Sequence, residues 1–293
     1  MLNRESLSGR VFDVGNLILL IGLSILTLYP VLYVAFASVS DAASLMAHSG
    51  FLWKPLGFSL DAYKSVFKNP MITSGYLNTM FIVVVGLFIN ILLTSFGAYA
   101  LSRKSLFYRK KIMLFIVFTM FFSGGLIPFY FVVMNLGLGN TLWALIVPQA
   151  MSTFNLIIMR TSFEAIPESL EESAKIDGAN DFVILFKIIL PLSLPVIAVM
   201  LLYYGVSHWN AWFNASIFLQ DRALYPLQLV LREILLLGEA SGMAEGAGDS
   251  DMAMLSATIK YATIMVATVP ILCVYPFMQK YFVKGALLGS IKG

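Results

Sequence analysis

Apolar and polar residues fall along this chain in long blocks, without the short amphipathic period of a soluble helix or strand. Six apolar blocks, at 14–39, 77–100, 112–136, 142–159, 192–213 and 258–283, reach or approach the length of about 20 residues that a helix needs to cross a bilayer. The fourth is the shortest. The pattern predicts an all-α integral membrane protein with an N-terminal segment (1–13), a domain of six transmembrane helices (14–283) and a C-terminal tail (284–293). The first block is too long for the apolar part of a signal peptide and no small-residue cleavage pattern follows it, so it is expected to stay as an anchor.

Lys and Arg are unevenly shared between the polar connections. One side holds Arg4 and Arg10, then Arg103, Lys104, Arg109, Lys110 and Lys111, then Arg160, Lys175 and Lys187, and finally Lys284 and Lys292. The other holds Lys54, Lys64 and Lys68, with Arg222 and Arg232 further on. The excess of positive charge predicts that both termini and the connection 160–191 are cytoplasmic, and that the loop 214–257 is external.

Composition agrees with the blocks: 59% of residues are apolar and 12% charged, against about 25% charged in soluble domains, and the mean hydropathy is +0.85. These values exclude a disordered chain, a nucleic-acid-binding domain and an ordinary cytosolic enzyme. The net charge of +3 bears on orientation rather than on binding polyanions. Cys273 is the single cysteine, which excludes an intramolecular disulfide and a cysteine metal site.

No Asp, Glu or Arg falls inside the six blocks, which argues against an ion-coupled pump or a proton relay, since those place charge at membrane depth. The two histidines, His48 and His208, are far apart and cannot form a helical zinc motif. No glycine-rich phosphate loop is present. If ATP drives this chain, ATP and Mg are bound by partner subunits, and no cofactor is expected here.

The connection 160–191 is patterned. Pro167 followed by Glu168, Glu171 and Glu172 opens a helix, with acids at the positive end of its dipole. Asp177-Gly178 ends it, because glycine takes the left-handed backbone at a helix C-terminus. Asn180 or Asp181 caps a second helix. A helix–turn–helix at the membrane surface is expected, with Leu170, Ala174 and Ile176 as an apolar ridge. Physics alone leaves two uses open: an interfacial amphipathic loop, or a docking surface.

The spacing Glu172-Ser173-Ala174, three residues, Gly178, nine residues, Ile188, one residue, Leu190-Pro191 resembles the EAA loop of binding-protein-dependent ABC importer permeases, with Ser173 where Ala is usual. Ala98-Tyr99-Ala100-Leu101-Ser102-Arg103, Ile189-Leu190-Pro191-Leu192 and the ending Gly285-Ala286-Leu287-Leu288-Gly289-Ser290-Ile291-Lys292-Gly293 narrow the resemblance to carbohydrate-type permeases, the MalG-like half of a maltose-type importer. It implies the type I (MetI-like) permease fold in a bacterial cytoplasmic membrane. It also implies a heterodimer with a second, MalF-like permease, two cytoplasmic ATPase subunits and an extracytoplasmic solute-binding protein. Glu172, Ser173, Ala174, Asp177, Gly178, Ile188, Leu190 and Pro191 would then form the ATPase-coupling loop. Gly289, Lys292 and Gly293 would belong to a tail that reaches the ATPase dimer, the alternative being a frayed end. The external loop, with Gly238, Gly242, Gly246 and Gly248, would be either a flexible segment entering the binding protein's cleft or an ordinary surface loop.

A solute path has weaker markers. Tyr203, Tyr204, His208, Trp209 and Asn210 mix aromatic and amide groups that suit sugars. A rise of about 25 Å from Leu192 to Trp209 favours an aromatic belt at the membrane boundary instead. Asn90, Thr94, Ser95 and Gln149 are expected as interhelical glue before substrate contacts, and Pro30 and Pro128 as kinks. The resulting expectation is a permease subunit of an ATP-driven sugar or oligosaccharide importer, itself catalysing nothing. An ATP-independent channel or carrier and a membrane-embedded glycan enzyme are the alternatives.

Overall fold

The computed structural model describes residues 7–243, 258–274 and 276. These fall into two compact units, one drawn from Met1–Asn69 and Glu233–Thr268, the other from Pro70–Arg232 and Val269–Gly293.

In the first unit α1 (Leu7–Ser38) is an unbroken helix containing Pro30. Its side chains from Val11 to Leu28 are exposed, as expected of a helix whose solvent is lipid. Its last turns carry Tyr33, Phe36 and Ala37 onto Leu45, Leu52, Leu56 and Tyr261. The short α2 (Ala42–Ala47) is capped by Asp41, whose carboxylate accepts from Ser44 N at 3.0 Å. The amphipathic α3 (Asp61–Lys68) buries Ala62 and Val66.

The second unit is built on α4 (Pro70–Ser102), 33 residues of near-continuous apolar sequence. α5 (Arg109–Phe121) and α6 (Leu126–Asn135) follow, and then α7 (Trp143–Ile146), a 3₁₀ turn (Val147–Gln149) and α8 (Thr153–Glu164). The polar connection forms α9 (Glu168–Ile176), α10 (Asp181–Ile184), a π-helical turn (Leu185–Ile189) and α11 (Leu190–Leu192). Beyond it lie α12 (Leu194–Trp209), α13 (Trp212–Phe218), a 3₁₀ turn (Arg222–Leu224), α14 (Leu227–Met243) and α15 (Thr258–Val274), the last two continuing across the boundary between units. Small residues on α4 let α8 and α12 approach: a Cβ on Gly97 would meet Leu156 Cδ1 at 3.1 Å. The core under α9 joins Ala98, Tyr99, Leu156, Met159, Phe163, Ile184, Ile189 and Met200.

Among the described residues two helices, Val11–Ser38 and Pro70–Ser102, are long and apolar enough to cross a membrane unbroken. The third block breaks at 122–125, where Gly125 has a positive φ of 84° and the chain turns by 115° between α5 and α6. The fourth breaks at Pro148, which has no N–H to continue the helix. The fifth is entered through an 85° bend at Ser193 and ends at Trp209, short of residue 213. Apolar content predicted these blocks; it does not register a break whose backbone is satisfied by neighbouring helices. The loop 214–257 is largely helical where it is described, with Gly238 and Gly242 inside α14. Gly246 and Gly248, the end of the sixth block and the tail with Gly289, Lys292 and Gly293 lie outside the described residues.

Candidate functional site

α9 starts at Pro167, which leaves no N–H to satisfy, and carries Glu168 and Glu171 in its first turn. It ends in a Schellman turn. Gly178, with φ of +81°, donates to Lys175 O at 3.0 Å, and Ala179 N donates to Ala174 O at 2.9 Å. Asn180 Oδ1 then accepts from Val183 N at 2.9 Å and starts α10.

The helix presents two faces. Glu172, Ser173, Asp177 and Gly178 are exposed. Leu170 is 42% and Ile176 86% exposed, the latter an isoleucine held out on a helix end. Ala174, expected beside them on the ridge, packs instead on the inner core. The Ser173 hydroxyl donates to Ser169 O at 2.9 Å, so the departure from alanine leaves no unpaired group. Ile188 and Leu190 are half-buried, with Leu190 against the core, and Pro191 is exposed. These three connect the helix pair to the membrane helices rather than extend its outer face.

Beneath α9 lies a charged clamp. Its one buried residue is Glu171, which is ion-paired with Arg103 at the end of α4. The Arg103 guanidinium also donates to Phe163 O at 3.1 Å and to Ser102 Oγ at 3.0 Å, and lies 5.0 Å from the Tyr99 ring centre. Burial pulls this guanidinium below its ordinary pKa, while the charges around it, Glu168, Glu164 and Asp181 among them, push back. Lys104 bonds Glu168 at 2.9 Å and holds that carboxyl below the usual range. Arg109 and Arg160 converge on Glu164 at 3.0 and 2.5 Å. Of these groups Arg103, Lys104, Arg109, Glu164 and Glu168 line a cavity of about 290 Å³.

Sequence reasoning used Arg103, Lys104, Arg109 and Arg160 as markers of sidedness, and Arg103 also within the stretch 98–103 that carries the resemblance, but missed their partners. Helical periodicity held the signal. Glu171 and Ala174, three apart, share the inward face, whereas Glu172 and Ile176, four apart, share the outward one.

A second cavity, of about 680 Å³, opens where the fourth block breaks, and is lined by Pro148, Gln149, Met151, Ser152, Phe154, Asn155, Leu202, Tyr203, Tyr204, Val206 and Ser207. No charged side chain is in that lining. A backbone break inside an apolar segment needs partners for its polar groups, and two relays supply them. Ser152 N donates to Tyr204 Oη at 2.9 Å, and that hydroxyl bonds Thr94 Oγ1 at 2.8 Å. Asn90 Nδ2 donates to Gln149 O at 2.6 Å, and Asn90 Oδ1 lies 2.7 Å from His208 Nε2. Since Asn90 Oδ1 can only accept, the His208 proton sits on Nε2.

Of the proposed path residues, Gln149, Tyr203 and Tyr204 line this cavity. Asn90 and His208 are 0% and 1% exposed inside the packing, and Trp209 is buried with its ring 6.3 Å from that of Tyr76. Asn210 is exposed and bonds back to Val206 O at 2.9 Å. Among the described residues no group of three or more His, Cys, Asp or Glu could hold a metal ion.

Apolar helices with satisfied internal breaks, joined to a polar helix pair clamped from below, suit a membrane transport component. Residues 14–287 match the family model described as binding-protein-dependent transport system inner membrane component, and the chain belongs to that family. It is 45% identical, over 98% of this chain and 100% of the relative, to the polygalacturonan/rhamnogalacturonan transport system permease protein YtcP of Bacillus subtilis (strain 168). It is 43% identical to protein LplC of the same organism, over 98% of this chain and 96% of that one. Among solved structures, a chain of a bacterial ABC transporter involved in importing the acidic polysaccharide alginate superposes with a TM-score of 0.86 at 33% identity, covering 95% of this chain and 99% of that one. The chain is a permease component of an ABC importer, and transports rather than catalyses.

Proposed function

We propose that this chain is one permease subunit of an ATP-driven importer for acidic oligosaccharides, spanning a bacterial cytoplasmic membrane six times with both termini inside. In this reading it pairs with a second, MalF-like permease above two ATPase subunits and receives solute from an extracytoplasmic binding protein. The observation that carries the reading is α9: a short helix whose Glu172 and Ile176 face outward while Glu171 is clamped beneath. An exposed apolar side chain next to an exposed carboxylate suits a protein cleft with a basic residue better than it suits lipid headgroups. ATP-driven closure of the partner subunits then rotates the clamped helix, and α4 and α8 with it.

The solute class rests on the relatives. YtcP is named for polygalacturonan and rhamnogalacturonan, and the superposing transporter for alginate; all three polymers contain uronic acids. The cavity at the helix break adds amide and phenol groups at Gln149, Tyr203 and Tyr204. These suit sugar hydroxyls and C–H faces, leaving the solute carboxylates to groups elsewhere in the assembly. Uptake of labelled trigalacturonate by cells carrying Glu172→Ala tests the reading. The variant is expected to insert normally and to lose uptake; uptake at the parental rate would contradict the docking role. Equal uptake of a neutral maltooligosaccharide would contradict the solute class.

A further inference from the structure

We propose that the Arg103–Glu171 ion pair is a strut that carries motion of α9 along α4 to the wall of the cavity at 148–152, which makes both side chains positioning residues for transport. The inference rests on the reading of α9 as the ATPase-docking helix. Three observations support it.

First, α9 buries a single residue, and that residue is a carboxylate. Apolar contacts that can slide are few, so a directional bond carries much of the load between the docking face and the membrane helices. Second, Arg103 joins three elements at one point: Glu171 of α9, Phe163 O at the end of α8, and Ser102 and Tyr99 of α4. A planar fork fixed on that many sides has little freedom to rotate, unlike the exposed Lys104–Glu168 pair beside it. Third, α4 runs without interruption from Ser102, next to Arg103, back to Thr94 and Asn90, about 14 and 20 Å from Arg103, and these two hold the backbone break through Tyr204 Oη and Gln149 O. Motion imposed at one end of this rod has a defined point of delivery at the other.

A buried pair is a poor way to add stability, because desolvation offsets the attraction. What it supplies here is geometry, a fixed distance and direction between α9 and the end of α4.

The test uses the full complex in proteoliposomes, with Cys273→Ser removing the native thiol and Tyr203→Cys placing a reporter on the cavity wall. The readout is the rate at which a soluble maleimide labels the introduced thiol, with and without ATP. In this parent ATP is expected to change the rate by about tenfold, within the range usual for coupling between sites. Glu171→Gln, which keeps the shape, and Arg103→Lys, which keeps the charge, are each expected to shrink that change below about twofold while the ATPase stays bound and hydrolysis continues. An ATP-dependent change that persists in both variants overturns the strut. So does loss of the ATPase from both, which would make the pair a support for the docking surface alone. If one variant fails to insert, the other decides. A parent that binds no ATPase overturns the docking reading itself, and a parent that binds it without any ATP-dependent labelling overturns the delivery to the cavity wall.

Discussion

Replacing Gly86 by alanine would place a methyl carbon 2.6 Å from His208 Nε2 and 2.9 Å from its Cδ2 and Cε1. The imidazole is 1% exposed and bonds Asn90 Oδ1 at 2.7 Å, so it is not a free end that can swing aside. Gly86 and Asn90 are four apart and share one face of α4, and retreat from the new methyl is therefore also retreat from Asn90. Reaching the 3.4 Å of ordinary contact moves the ring by about 0.8 Å and stretches the hydrogen bond beyond its useful range. Overpacking costs about 1–3 kcal/mol, and the buried Asn90 oxygen left without a donor costs a further ~1–3 kcal/mol. Alanine recovers about 1 kcal/mol of helix propensity, leaving a net loss of about 1–5 kcal/mol. Reversible unfolding in mixed micelles would measure it, with Gly22→Ala as control, since nothing lies within 4 Å of a Cβ there. Repeating Gly86→Ala on a His208→Ala background should abolish most of the loss. A Gly86→Ala shift no larger than the control, or one undiminished without His208, would refute the reasoning.

Three further outcomes follow from the same structure. Gly178→Ala forces a side chain into a φ of +81° at about 1–2 kcal/mol, and should reduce uptake more than Gly178→Asn, which tolerates that backbone; equal uptake by both variants would count against the turn. Tyr204→Phe strips Ser152 N of its acceptor at the break and should lower stability by about 1–3 kcal/mol, seen as a lower midpoint in the same micelle assay. The Glu168 carboxyl sits below its ordinary value of 4.5 because Lys104 bonds it. Its support for α9 is thus fully present above that pH and fades as pH falls through the lowered folded value. Lys104→Ala should remove this acid dependence of α9 protection, followed by hydrogen exchange between pH 3 and 5, about the range where carboxylates titrate.

The membrane class was legible from block length and charge scarcity, because a lipid-facing helix such as α1 needs no partner to declare itself. The helix–turn–helix of α9 and α10 was legible from Pro167, Gly178 and Asn180, whose backbone roles are local. The clamp was not. Arg103 and Glu171 lie far apart in sequence, and their pairing depends on how α4, α8 and α9 meet. The break at 122–125 stayed hidden because hydropathy averages across it, whereas Pro148 beside Gln149 marked the fourth block as kink-forming without showing that its helix stops there. What permits the second break is Tyr204 and Asn90 acting from other helices, as the glue expected of Asn90 allowed. His208 and Trp209 were expected at a boundary belt from their height on the helix alone; Gly86 and Tyr76 draw them into the packing instead.

The central claim is that the outward face of α9 docks on an ATP-hydrolysing subunit, and Ile176 is its most exposed large apolar side chain at 86%. A photo-crosslinking residue at position 176, irradiated in native membranes, should link this chain to an ATPase subunit, and the link should be lost when Glu172→Ala is added. A probe at 176 that links only to lipid, in a chain that still imports solute, would contradict the account.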